Sequence, residues 1–163
     1  MPIVSNNPPL AGSGRSGGSG SAHPEGARGP TVRERQYLKC AGAHPLGHLP
    51  GEVSARLVAA MLAEEWIYRE DADGYRLEAD EALTFQGGTA WRITPCGRWA
   101  ALTARQRRLL TALGDSSVAL AHTDGRATEL AQVHLVEDVG GVMQLTVLGA
   151  SLVRAFVTGA GQP

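Results

Sequence analysis

Residues 91–114 read WRITPCGRWAALTARQRRLLTALG, and the reading of this stretch decides how the chain is divided. Residues 90–94 are a strand candidate that Pro95 stops, and a short helix is expected from Gly97 to about Leu102. Thr103 then stands as the N-cap of a new helix. The stretch is therefore a junction: its first half closes one unit and its second half opens another. It carries Arg92, Arg98, Arg105, Arg107 and Arg108 and no acid.

The opening at Thr103 occurs once before. TARQRRLLTALG from 103 and TVRERQYLKCAG from 31 share Thr, Arg, Arg, Leu and Gly in register. Further on, Leu57, Leu62 and Glu64 align with Leu130, Leu135 and Glu137 at a spacing of 73, and Gly88, Thr94 and Gly97 align with Gly140, Thr146 and Gly149 at a spacing of 52. The change in spacing leaves 21 extra residues, 67–87, in the first copy. We read an internal duplication, 31–102 and 103–158. A Gly-, Ser- and Pro-rich segment, 1–30, precedes it and is expected to be a disordered leader with no specific role, a weak groove-seeking arm through Arg15 and Arg28 being the alternative. Residues 159–163 are expected to be a flexible end.

Each copy reads helix, loop, longer helix, β-hairpin, then Ile/Leu-Thr-x-x-Gly entering a short helix. Thr31 and Glu34 form a capping-box pattern for a helix reaching about Ala41 and ended by Gly42. Val53, Leu57 and Met61, with Val58, Leu62 and Trp66, recur at helical spacing and predict a helix over 52–66. WIYRE and YRLEA flank Asp-Ala-Asp-Gly at 71–74 as the two strands of a hairpin. In the second copy, 117–122 has room for one or two helical turns, His134 falls on the buried stripe at the place of Met61, and Gly140-Gly141 makes a tight turn. The expected fold class is α+β: two small tandem units, the first with an enlarged hairpin.

This order of elements, and WRITPCGRWAAL in particular, resembles the segment closing the wing in MarR- and PadR-type regulators of the winged helix-turn-helix superfamily. There a strand ending in Leu-Thr-x-x-Gly-Arg enters a helix. LTVLGASLV at 145–153 is a degraded version, without the Pro and Arg. The resemblance implies two winged-helix-like units and a small DNA-binding transcriptional regulator. It places base readout at Arg56, Arg126 and Gln132 on the longer helix of each unit. Contacts to double-stranded DNA phosphates would come from Arg33, Arg35 and Lys39 and from Arg92, Arg98, Arg105, Arg107 and Arg108. The first copy departs from the pattern, because Pro45, Gly47, Pro50 and Gly51 leave no room for a positioning helix.

Charge pulls the other way. The formal net charge is −1, and it is unevenly spread: residues 52–81 sum to −6, 92–108 to +5 and 115–138 to −4. Acidic helices with alanine-rich outer faces suit a protein partner better than phosphates. The second expectation is thus a winged-helix interaction module, similar in plan to the accessory subunits that bind SMC-type condensin ATPases, with a protein partner or a second copy in place of DNA. Arginines between 92 and 108 that prove to be paired would favour it.

Catalytic and metal readings are weak. Cys40, His44 and His48 are spaced four apart, but Pro45 and Gly47 break the helix such ligands would need. Asp71 and Asp73 lack the other ligands of a calcium loop and read as a turn. Neither a nucleophile elbow nor a phosphate-cradling glycine loop occurs. A protein without catalytic residues, metal or cofactor is expected. Cys40 reads as a small core residue, His134 as partly buried, Trp66 and Trp91 as the first core, and Trp99 as packing between the copies. Two cysteines, no signal-peptide pattern and no apolar run of about 18 residues predict a cytoplasmic location away from membranes.

Overall fold

The structure, a computed structural model, describes residues 28–158; the expectations for 1–27 and 159–163 lie outside the described residues. It is an α+β arrangement whose described residues form seven helices and two small antiparallel sheets. No described helix is long and apolar enough to cross a membrane.

Helix α1 (Val32–Ala43) starts with the full capping box: Thr31 Oγ1 accepts from the Glu34 amide, and the Glu34 carboxylate accepts from the Thr31 amide at 2.8 Å. Such a cap stabilises by about 1 kcal/mol. Gly42 does not end the helix; it continues to Ala43, and the His44 amide closes it on the Cys40 and Ala41 carbonyls. Helix α2 is shorter than the apolar spacing predicts, Ala55–Ala63. It stops because Glu65 turns to φ 56°, which returns the Trp66 amide to the Met61 carbonyl at 3.0 Å. The stripe survives the shortening: Val58, Met61, Leu62 and Trp66 are all buried.

Strand β1 (Ile67–Arg69) pairs with β2 (Trp91–Ile93), placing Ile67 opposite Ile93. The turn at 71–74 forms as expected, with the Asp71 carboxylate accepting from the Asp73 and Tyr75 amides and Gly74 at φ 87°. YRLEA is not its second strand. Only Arg76 bridges back to Glu70, and the chain then enters helix α3 (Ala79–Thr84). Asp80 and Glu81 lie in the first turn of α3, where carboxylates suit the helix dipole, and Ala82 is fully buried. Helix α4 (Pro95–Ala101) begins two residues before Gly97, because Pro95 fits N1 and Thr94 caps it through the Gly97 amide at 2.9 Å.

In the second half, α5 (Ala104–Gly114) opens with its own capping box, Thr103 with Gln106. Residues 117–122 are not helical. They hold strand β3 (Leu120–Ala121), since extended backbone lets Leu120 bury completely and pair with Met143. Helix α6 (Gly125–Gln132), strands β4 (Val136–Val139) and β5 (Val142–Leu145) and helix α7 (Val147–Val153) follow. A π-helical turn, Arg154–Thr158, extends α7. The sheet order is β3-β5-β4, and the β4–β5 turn uses Gly140 and Gly141 at positive φ.

The buried side chains form two clusters. One gathers Leu38, Met61, Trp66, Ile67 and Ile93 with Trp91 packed on it; the other gathers Leu102, Leu110, Leu120, Leu130, Leu135 and Leu152. Trp99 packs on the second cluster from α4 and stacks on Phe156 at 5.3 Å.

One backbone arrangement occurs in both halves. After α2 and after α6 a non-glycine residue takes positive φ (Glu65 at 56°, His134 at 59°), and its carbonyl accepts a threonine hydroxyl, Thr94 or Thr146, at 2.7 Å. The same threonines send their amides to the Trp66 and Leu135 carbonyls. Gly97 and Gly149 pass so close to those carbonyls that a Cβ at either would collide with the oxygen. The correspondence pairs Met61 with Leu130 and Trp66 with Leu135, a spacing of 69 and not 73. The sequence alignment was one helical turn out, because every fourth position of an apolar stripe looks alike. His134 is accordingly exposed, at the place of Glu65, and its Nε2 lies 3.1 Å from the Ala43 carbonyl.

Candidate functional site

Of the eight expected phosphate contacts, seven are arginines and the eighth is Lys39, which is half-buried on α1. Arg92, Arg98 and Arg107 are committed within the protein. Arg92 Nη1 donates to Glu70 Oε2 at 2.7 Å, and its guanidinium lies over the Tyr68 ring. Arg98 Nη1 donates to the Gly42 carbonyl at 3.0 Å and so ties α4 to the end of α1. Arg107 donates to the Trp99 and Ala100 carbonyls and lies over the Trp99 ring. Burial pulls the pKa of Arg98 and of Arg107 below the ordinary arginine value. Part of the donor capacity of these three side chains is therefore used inside the protein. Arg35 is half-buried, with Nη2 reaching the Pro30 carbonyl at 3.5 Å.

The side chains of Arg33, Arg105 and Arg108 are exposed and make no hydrogen bond or ion pair among the described residues, although the charge of Arg105 helps lower the pKa of Asp124. Of the three expected base readers, Arg56 and Gln132 are exposed, and Arg126 is held by its neighbour: its Nε donates to both Asp124 oxygens, at 2.9 and 3.0 Å. Asp124, also the N-cap of α6, is kept down at about 2 by the hydrogen bond from Arg126.

The fold brings Arg33 and Arg56 together. A cleft of about 500 Å³ opens between the starts of α1 and α2, lined by both arginines, by Arg28, and by Leu57 and Ala60. Arg28, which belongs to the segment 1–30 expected to be disordered, is bound here. Its guanidinium makes two bonds to Glu34, at 2.9 and 2.6 Å, a third contact to Glu64 at 3.1 Å, and lies over the Trp66 ring. Glu34 is only 2% exposed, and chiefly the bond from Arg28 lowers its pKa from 4.5 to about 2. Arg28 is therefore neutralised, while Arg33 and Arg56 are not. The capping-box pattern disclosed Glu34's backbone role; nothing local disclosed its burial against Arg28.

The sequence also missed Arg69. It donates to the carbonyls of Ala82, Phe85, Gly87 and Thr89 and lies between the Phe85 and Trp91 rings. One guanidinium thus holds the chain between β1 and β2, α3 included, against the ladder. Fork geometry allows this many bonds from a single side chain.

The other candidates behave as local structure. His44 Nδ1 accepts from the Leu46 and His48 amides, and the His44 and His48 rings stack at 4.8 Å. Cys40 is exposed, contrary to the expected core position, because it lies on the outer side of α1. Among the described residues no group of three or more His, Cys, Asp or Glu side chains converges as a metal site would require. Comparison with known proteins returns no matching family model, no matching curated protein and no matching solved structure.

Proposed function

We propose that the chain is a non-enzymatic protein-interaction module made of two winged-helix-like units, 31–102 and 103–158. Support for the units comes from the turn shared by Glu65 and His134, the paired capping boxes and the two core clusters. Sheet order β3-β5-β4 behind a single helix is in keeping with a reduced wing-bearing unit. Between the first helix and the hairpin each half has one helix, so the two-helix reading head that docks in a major groove is missing from the described residues.

The observation that carries the reading is the commitment of Arg92, Arg98 and Arg107 to a carboxylate and to backbone carbonyls. Affinity for DNA rises with the number of phosphates neutralised, each contributing about 0.9 to the salt slope. With these three engaged inside the protein and Arg126 paired with Asp124, fewer cations are left for phosphates.

DNA binding is the second reading, favoured by the convergence of exposed Arg33 and Arg56 on one cleft and by the exposure of Arg105 and Arg108. An electrophoretic mobility assay on genomic fragments at about 50 mM salt, where phosphate contacts are strongest, separates the two. The interaction module leaves the fragments unshifted. Retardation that disappears when Arg33, Arg56, Arg105 and Arg108 become Ala establishes the DNA reading instead.

A further inference from the structure

We infer that the arginine-lined cleft between α1 and α2 is a homotypic docking site, filled by the acidic lobe 78–84 of a second copy of this chain. The inference rests on the interaction-module reading and names its partner.

The cleft offers two uncompensated cations, Arg33 and Arg56, next to the apolar side chains of Leu57 and Ala60. Its volume, about 500 Å³, suits inserted side chains of a short segment. The lobe has the matching pattern. Helix α3 buries Ala82 and leaves Glu78, Asp80 and Glu81 exposed without a salt bridge among the described residues. Beside them Leu83 is 50% exposed. Carboxylates beside a leucine thus face guanidiniums beside Leu57 and Ala60, complementary in charge and in apolar surface.

Two further facts favour self-docking. The Arg69 bonds to the Ala82, Phe85 and Gly87 carbonyls hold the lobe rigid, so little ordering entropy is lost on docking. Helix α3 also packs on α2, the helix that supplies Arg56, Leu57 and Ala60 to the cleft. A two-fold arrangement that pairs each cleft with the other copy's lobe would close a dimer.

Sedimentation equilibrium of the full chain tests this with two charge reversals, R33E/R56E and D80R/E81R, all at exposed positions. The wild type is expected to dimerise at low salt and to dissociate at about 1 M salt, where the screening length falls to about 3 Å. Each reversed variant is expected to be monomeric, with self-affinity lowered at least about tenfold, and an equimolar mixture of the two to form dimers again. Restoration in the mixture also excludes misfolding as the cause of the loss. A wild type that stays monomeric, a dimer that survives both reversals, or a mixture that stays monomeric overturns the proposal. A monomer that shifts duplex DNA through Arg33 and Arg56 overturns the interaction-module reading as well; a monomer that leaves DNA unshifted overturns only the dimer.

Discussion

The Arg107 guanidinium donates to the Trp99 carbonyl at 3.0 Å while lying over the Trp99 ring, its centre 5.5 Å from the ring centroid. Trp99 in turn stacks on Phe156. An arginine from the most basic run of the chain is thereby part of the packing that joins α4 to α5 and to the C-terminal turn. Arg107→Ala is expected to cost about 1.5–3 kcal/mol, the usual contribution of charge-assisted bonds. Arg105→Ala and Arg108→Ala, at exposed positions, should stay within about 0.5 kcal/mol. Urea unfolding of the three variants checks this. Equal effects at all three positions would contradict the division into braces and free cations.

Glu34 makes the fold sensitive to acid. Its pKa is lowered from 4.5 to about 2, so the native state favours the ionised form. The resulting stability is fully present above the ordinary value and is lost as pH falls from about 4.5 towards 2. Its size is on the order of 3 kcal/mol at neutral pH. Glu34→Gln keeps an acceptor for the Thr31 amide, as Gln106 does for Thr103, but removes the charge that Arg28 meets. The variant should be less stable at pH 7 and show a flatter pH profile between 4.5 and 2, measured by thermal unfolding across that range.

Arg69 should behave as a main fastening of the acidic lobe, beside the burial of Ala82. Arg69→Lys retains the charge but loses the planar fork, so most of the bonds to Ala82, Phe85, Gly87 and Thr89 go with it. Hydrogen exchange in residues 79–85 is expected to accelerate in this variant, while the β4–β5 amides keep their protection. Unchanged exchange at α3 would show that the lobe is held by other means.

Gly97 and Gly149 provide a paired test of the shared turn. An alanine Cβ at either collides with a backbone carbonyl, of Trp66 or of Leu135, and backbone cannot move aside as a side chain tip can. Each substitution should destabilise by about 2–3 kcal/mol, the upper part of the range for overpacking. Gly51→Ala, which meets nothing within 4 Å, serves as the control and should be close to neutral. A stable Gly149→Ala alongside an unstable Gly97→Ala would mean that the two turns are not equivalent.

Local chemistry in the sequence was enough for the starts of α1 and α5. Thr31 with Glu34 and Thr103 with Gln106 are caps because a threonine hydroxyl and an amide three residues on are always within reach at a helix start. The same locality made the Asp71–Gly74 turn and the Gly140-Gly141 turn legible, along with the core roles of Met61 and Trp66. What the sequence could not determine was every feature that depends on a distant partner. Whether residues 117–122 coil or extend is decided by Met143, whether α2 reaches 66 by the carbonyl that Thr94 needs, and whether 75–84 is strand or helix by Arg69 and the surface that buries Ala82. The arginines show this most plainly. A guanidinium is the same donor fork at every position, and only tertiary structure supplies either a carbonyl or carboxylate to Arg92, Arg98 and Arg107, or open water to Arg33 and Arg56.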